Sequence, residues 1–215
     1  MATAAREKVH HPVFARLYER MSQRVEDLGV AEHRDELLAG LSGRVVEVGA
    51  GNGMNFAHYP PTVTEVIAVE PEPFLRARAT EAAANAPVTI QVVDGTSTAL
   101  PVEDASCDAG VASLVLCSVP DQAAALAELR RAIRPGGELR FYEHVIAESR
   151  RPARTQRWLD ATIWPHLSGG CHAARDTLAA IEAAGFTVED HRRFAFRPVA
   201  VTPTAPHVLG RARRP

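Results

Sequence analysis

The sequence is short of several residue types, and each shortage argues against a class of protein. Lys8 is the only lysine among 24 basic residues and the net charge is −2, so no basic surface points to nucleic acid as a partner. Cys107, Cys117 and Cys171 are odd in number and lack a metal-ligand spacing such as C-x-x-C. They predict free thiols in a reducing cytoplasm and no metal site. No apolar run approaches the roughly 18 residues of a membrane span, and no signal peptide is visible, so we expect no membrane insertion.

What is present is an ordinary globular composition. A chain of 215 residues with 46% hydrophobic and 23% charged residues fits one domain with its own core. We interpret residues 1–215 as a single domain with four parts. The first part begins with a mobile tail over residues 1–11. The parts are an N-terminal helical cap (1–41), a cofactor-binding core (42–145), a substrate-side insertion (146–172) and a closing helix with strands (173–215).

The most informative stretch is a short β-branched run followed by glycines. Val45–Val48 predicts a fully buried strand. Glycines follow it at alternate positions: Gly49, Gly51 and Gly53. Such residues let the backbone turn sharply and approach a ligand closely. We expect a helix to begin at Asn52 or Gly53, with its free N–H groups aimed at that ligand. The stretch therefore predicts a nucleotide-like cofactor pocket at the end of the first strand.

The spacing of the glycines separates two cofactor classes. The dinucleotide fingerprint G-x-G-x-x-G needs a glycine where Met54 stands, which disfavours a nicotinamide oxidoreductase. The pattern here is G-x-G-x-G preceded by the acidic Glu47. In this the chain resembles the class I S-adenosylmethionine (SAM) dependent methyltransferases. The stretch L-P-V-E-D-A-S-C-D at residues 100–108 and the R-P-G-G at residues 134–137 strengthen the resemblance.

Predicted strands and helices alternate along the chain, which indicates an α/β protein with a doubly wound sheet. The resemblance implies the Rossmann-like class I methyltransferase fold, with a seven-stranded, mostly parallel sheet and helices on both faces. Phe186–Phe196 and Val208–Arg213 are expected to be antiparallel closing strands.

The resemblance also implies which residues hold SAM, since ligands of open α/β sheets bind beyond the carboxyl ends of the strands. The implied set is Glu47, Gly49, Gly51, Asn52, Gly53, Glu70, Pro71, Asp94, Gly95, Thr96 and Leu114. Amides of the glycine loop would meet the methionine carboxylate, and Glu70 would accept hydrogen bonds from the ribose. Thr96 stands where the family often has an acidic residue for the adenine amino group, which leaves Asp94 or backbone atoms for that contact.

Three stretches resemble one branch of this family, the animal methyltransferase-like proteins that S-methylate hydrogen sulfide and small thiols. They are L-V-L-C-S-V at 114–119, F-Y-E-H-V at 141–145 and G-C at 170–171. The resemblance implies a small-molecule thiol as acceptor. An oxygen or carbon nucleophile on a quinone-like or natural-product scaffold is the alternative, and a non-catalytic module that holds SAM is a third reading. We expect a cytoplasmic monomer or homodimer.

The candidate catalytic residues are histidines. A thiol of pKa about 8.5 already supplies some thiolate at neutral pH, whereas other acceptors need a general base. His144, at the end of the fifth strand, is the first candidate base and His166 in the insertion is the second; either is alternatively a structural histidine. Trp158 and Trp164 either line an acceptor pocket or anchor the insertion.

Overall fold

The computed structural model describes residues 12–197 and 204–215, so the predicted mobile tail at 1–11 lies outside the described residues. Within these ranges seven strands form one sheet: β1 (Gly43–Val48), β2 (Val63–Val69), β3 (Ile90–Val93), β4 (Cys107–Ser113), β5 (Ile133–His144), β6 (Thr187–Phe196) and β7 (Ala205–Arg213). Their order is β3-β2-β1-β4-β5-β7-β6. The pairs β1–β2, β1–β4, β2–β3 and β4–β5 are parallel, and β7 runs antiparallel to both of its neighbours.

Helices cover both faces of this sheet. They are α1 (Pro12–Val25), α2 (Ala31–Leu38), α3 (Pro73–Ala83), α4 (Gln122–Ala132), α5 (Arg150–Asp160), α6 (Trp164–Leu167) and α7 (Thr177–Ala183). One apolar core includes Leu126 of α4 and Ile181 of α7, and the other includes Leu38 of α2 and Ala79 of α3. Residues 45–48 of β1 are buried throughout because successive side chains enter opposite cores. The predicted α/β Rossmann-like fold with a mostly parallel seven-stranded sheet is confirmed.

The helix expected at Asn52 or Gly53 is wrong. The chain passes through turns to a single 3₁₀ turn, Phe56–His58, and reaches Pro60. Gly53 has a φ of 82°, which no right-handed helix contains, and too few residues remain before the prolines for a helix. The glycine loop therefore has no helix N-terminus behind it.

Left-handed residues shape two strand boundaries. Strand β4 ends at Ser113, because Leu114 takes a left-handed φ of 56°. Strand β5 begins at Ile133, and the stretch 134–137 forms an irregularity within the β4–β5 pairing. Gly136, with a φ of 77°, allows this departure from regular pairing.

The C-terminal part follows the predicted order. The insertion contains α5 and α6, and α7 begins after Asp176, whose side chain accepts a hydrogen bond from the backbone N–H of Ala179. The strands β6 and β7 form the expected antiparallel pair. No helix in the described ranges has the length and apolar character needed to cross a bilayer.

Candidate active site at the carboxyl ends of the strands

The glycine loop is a tight backbone bend. Gly49, Gly51 and Gly53 have φ values of 66°, 58° and 82°, a region that favours glycine. A side chain at Gly49 would overlap Val115, and a Cβ atom at Gly51 would lie 3.3 Å from the ring of Tyr18. Gly49 and Gly51 thus leave no room for a side chain, because neighbouring groups approach their backbone closely.

Most amides of this loop already donate within the protein. The N–H groups of Gly49 and Ala50 donate to the Val69 carbonyl at 2.9 and 3.1 Å. The N–H of Gly51 donates to Glu70 Oε2 at 2.8 Å, and that of Gly53 to the Ala50 carbonyl at 3.0 Å. In this conformation most backbone N–H groups of the loop are not free to donate to a ligand, so the loop chiefly provides space for one.

Glu70 follows β2 directly and its carboxylate is buried beside the loop. Its two oxygens accept backbone N–H groups of Gly51, at 2.8 Å, and Glu72, at 2.9 Å. Burial raises the pKa of Glu70, and these two hydrogen bonds oppose the shift. Each carboxylate oxygen has a further lone pair, so the group can still accept hydrogen bonds from a ligand.

One guanidinium joins the ends of β2 and β3. Arg76 Nη1 donates to the carbonyls of Glu70 and Pro71 at 2.8 and 3.0 Å and to Asp94 Oδ1 at 3.0 Å. Pro71 and Asp94 are therefore held in position by the same side chain. Arg76 lies in the first turn of α3, and no glycine or acidic motif in the sequence pointed to it.

The residues after β3 form a tightly packed turn. A Cβ atom at Gly95 would lie 2.9 Å from Val69 Cγ1 and 3.0 Å from Pro101 Cδ. The hydroxyls of Thr96 and Thr98 are 3.3 Å apart. This turn lies at the same edge of the sheet as Glu70, because β2 and β3 are parallel neighbours.

Glu47 lies beneath the loop, within a buried polar network. Its oxygens accept hydrogen bonds from Asn55 Nδ2 at 2.7 Å and from the Tyr59 hydroxyl at 2.8 Å. Arg34 Nη1 donates to Asn55 Oδ1 in turn. Burial raises the pKa of Glu47 to about 7, against these hydrogen bonds. Both oxygens of Glu47 accept hydrogen bonds from protein groups, so Glu47 can affect a ligand only by holding the glycine loop in position.

The helix α1 lies against the open side of the loop. Asn52 Nδ2 donates to the hydroxyl of Ser22 at 3.0 Å, whereas Asn52 Oδ1 is buried and has no hydrogen-bond partner among the described residues. Burial raises the pKa of Tyr18, whose phenol also interacts electrostatically with Glu70 and Cys117. Tyr18 therefore lies between the glycine loop and the opposite wall of the site.

That opposite wall is the turn after β4, and hydrogen bonds to Glu143 hold it in place. The N–H of Leu114 donates to the Tyr142 carbonyl at 2.6 Å. The fully buried carboxylate of Glu143 then accepts the N–H groups of three successive residues, 115, 116 and 117, at 3.0, 2.8 and 3.0 Å. Burial raises the pKa of Glu143 and the three donors oppose the shift. Leu114 and Val115 are thereby fixed beside the glycine loop.

His144 lies between two cysteines. Its Nδ1 is 3.6 Å from Cys117 Sγ and 3.7 Å from Cys171 Sγ. Burial lowers the pKa of His144, but its interactions with Cys117 outweigh burial, and the net shift is upward. The hydrogen bond between the two cysteines raises the pKa of Cys117 to about 12 and lowers that of Cys171.

The other candidate residues of the insertion are one histidine and two tryptophans, which differ in their surroundings. The side chain of His166 lies outside the described residues, so its role as a second base stays a prediction. Trp158 is 64% exposed, whereas Trp164 is partly buried and lies near Cys171. Of the two tryptophans, only Trp164 is placed beside the cysteines.

Comparisons with known proteins show the family of the chain. Residues 46–141 match the family described as "Methyltransferase domain". Thiol S-methyltransferase TMT1B of Mus musculus is 35% identical over 215 residues, which cover 95% of this chain and 86% of that protein. Thiol S-methyltransferase TMT1A of Homo sapiens is 36% identical over 180 residues, 81% of this chain and 72% of that protein. A solved SAM-dependent methyltransferase of Thermotoga maritima superposes with a TM-score of 0.68 at 21% identity, covering 94% and 97% of the two chains.

Proposed function

Because this chain belongs to the class I SAM-dependent methyltransferases, near the thiol S-methyltransferases, we propose that it methylates a small-molecule thiol on sulfur. The observation that carries the acceptor class is the 35% identity to a thiol S-methyltransferase over 95% of the chain. SAM is the cofactor.

The residues at the loop fit SAM. A side-chain-free bend at Gly49 and Gly51 lies beside a buried carboxylate, Glu70, which retains lone pairs for two ribose hydroxyls. We assign the ribose to Glu70. The unpartnered Oδ1 of Asn52 is a buried acceptor that suits the ammonium group of the methionine moiety, since buried polar groups are normally paired.

The other predicted contacts are assigned by position. Gly95 and Thr96 border the adenine in this proposal, and Arg76 holds Asp94 and Pro71 in place for it. Leu114 lines the methyl side, where the turn after β4 meets the loop.

Bound SAM supplies an electrophilic methyl group on a sulfonium. Positive charge is lost in the transfer, so the protein contributes chiefly by alignment and by excluding water. His144 Nδ1 is placed to hold the proton of a thiol, because two protein thiols already lie 3.6 and 3.7 Å from it. His166 stays a second candidate for this role.

Calorimetric titration with SAM tests the ribose assignment. Two hydrogen bonds to a charged group contribute about 1.5–3 kcal/mol each, and 1.4 kcal/mol is tenfold in affinity. Glu70→Ala should therefore weaken SAM binding by at least about 100-fold. The control is Glu65→Ala on the same strand, where the side chain pairs with Arg44 far from the loop. Unchanged affinity in Glu70→Ala would remove the ribose assignment.

The acceptor is tested by measuring release of S-adenosylhomocysteine. The panel contains sulfide, small alkyl thiols, phenols and amines, with the unmodified protein. We expect turnover with thiols; turnover with phenols or amines but not with thiols would contradict the proposal. Light scattering checks the expectation of a monomer or homodimer, and cell fractionation checks the cytoplasmic location.

A further inference from the structure

Three side chains with soft or borderline ligand atoms meet at the acceptor side of the site. Cys117 follows β4, His144 ends β5 and Cys171 follows α6, so three separate segments contribute. The two sulfur atoms and one ring nitrogen lie within 4.8 Å of one another. Cys117 and Cys171 are buried, and neither forms a disulfide.

The two nitrogen-to-sulfur separations match those of a tetrahedral metal centre. With Zn–S distances of about 2.3 Å and a Zn–N distance of about 2.0–2.1 Å, ligands at tetrahedral angles place sulfur and nitrogen about 3.6 Å apart. The distances from His144 Nδ1 to Cys117 Sγ and Cys171 Sγ are 3.6 and 3.7 Å. We propose that Cys117, His144 and Cys171 bind one Zn²⁺ ion.

The surroundings hold these ligands without the metal. The N–H of Cys117 donates to Glu143 Oε2 at 3.0 Å, and its carbonyl accepts the N–H of His172 at 2.7 Å. The second bond joins the segment after β4 to the segment that carries Cys171. The ring of His144 packs on that of His207, with centroids 4.4 Å apart. Preorganised ligands of this kind lower the cost of forming a metal site.

The ligand chemistry is also consistent with zinc. Two thiolates and one neutral imidazole neutralise the ion, and binding releases the thiol protons to solvent. His144 is only partly buried, which leaves a path for the ion.

Three protein ligands leave a fourth position open, as in catalytic zinc sites. A thiol acceptor would take that position as a thiolate, with its proton released to solvent, so with zinc bound His144 would serve as a ligand and not as the base. Its sulfur would then form the new S–CH₃ bond as the bond from methyl to the sulfonium breaks. This part rests on the proposed thiol methylation, whereas the metal site itself rests on the three ligands alone.

The test is zinc binding to the reduced full chain in the absence of SAM and acceptor. We expect one zinc per chain by mass spectrometry, and X-ray absorption with two sulfur ligands at about 2.3 Å and a nitrogen at about 2.0–2.1 Å. Cobalt substitution should give sulfur-to-metal charge-transfer bands. Loss of a residue that hydrogen-bonds to a metal ligand typically weakens metal binding roughly 10–100-fold. We expect a larger loss of zinc affinity in each of the ligand variants Cys117→Ser, Cys171→Ser and His144→Gln.

Cys107→Ser is the matched control, because Cys107 is the remaining buried free cysteine and starts β4 at its other end. Absence of zinc uptake, or an equal loss in Cys107→Ser, would overturn the metal site. Circular dichroism and SAM titration of each variant show whether it is folded. If zinc binds but no thiol is methylated, the proposed function fails and the metal site stands. If thiols are methylated equally after zinc removal, the role of the fourth position is refuted.

Discussion

Glu143 gives the sharpest test of how the site is held together. Its carboxylate accepts three successive backbone N–H groups and is fully buried. Oε1 receives two of them, from Val115 and Leu116, and Oε2 receives the third, from Cys117. Glu143→Gln keeps the shape of the side chain but replaces one oxygen by an NH₂ group. That group would then face the N–H of Cys117, donor against donor.

The magnitude follows from the groups left unpaired. A buried donor without an acceptor costs about 1–3 kcal/mol, so two opposed donors should destabilise the fold by about 2–6 kcal/mol. For a domain of this size, each kcal/mol lowers the melting temperature by about 2–4 °C, which gives a decrease of roughly 4–24 °C. Val115 covers Gly49, so displacement of the turn should also weaken SAM binding.

Thermal and urea unfolding of Glu143→Gln measure the first effect, and calorimetry with SAM measures the second. Glu182→Gln, at an exposed position of α7, is the control and should match the unmodified protein. A melting temperature of Glu143→Gln equal to that of the control would refute the idea that this carboxylate holds the turn. Lower stability with unchanged SAM affinity would refute the link from the turn to the glycine loop.

Two further predictions concern the loop and the pH dependence of stability. Gly51→Ala and Gly136→Ala both force a side chain into a left-handed φ, at about 1–2 kcal/mol, but only the methyl group at Gly51 approaches Tyr18, at 3.3 Å. Both should lower the melting temperature, whereas calorimetry should show lost SAM affinity in Gly51→Ala alone; equal affinities would contradict the loop's role. Burial, followed by the charge of a neighbouring histidine, lowers the pKa of His207 from 6.5 to about 3. The unfolded chain therefore binds this proton first, and stability should fall as the pH decreases from about 6.5 towards 3, by up to about 1.4 kcal/mol per pH unit. His207→Phe should make that slope shallower in urea unfolding at several pH values and the exposed His191→Gln should not; equal slopes in the two variants would refute the assignment.

The parts of the fold that depend on local patterns could be predicted from the sequence. The buried strand at Val45–Val48 and the glycine bend after it come from neighbouring residues, and the acidic residue ending the next strand is likewise a local feature. Glu70 was expected beside the loop because parallel strands bring their carboxyl ends to one edge, and its bond to Gly51 meets that expectation. Its ribose contact remains a prediction.

The failures arise where long-range contacts override local preference. The helix expected at Asn52 or Gly53 is replaced by turns, in which Gly53 has a left-handed φ and the buried ring of Phe56 lies where a Cβ atom on that glycine would be only 2.8 Å away. No local pattern indicates that Glu143 accepts three backbone N–H groups, because these partners lie 26–28 positions away along the chain. Arg76 joins two strand ends from within α3, and its partner Asp94 is 18 positions distant.

The proposed zinc site would draw its ligands from separate segments of the chain. A C-x-x-C motif indicates metal binding when both ligands share one short loop, and its absence led to the expectation of no metal site. In a parallel sheet, ligands are instead collected from the ends of adjacent strands, each a whole β-α unit apart. His144 is 27 positions from Cys117 and 27 from Cys171, and the pairing of β4 with β5 brings the first two together. The backbone bond from His172 to the Cys117 carbonyl then brings in the third. Whether soft ligands meet at the carboxyl edge of such a sheet therefore depends on the order of its strands. Spacing rules for single loops do not take that order into account.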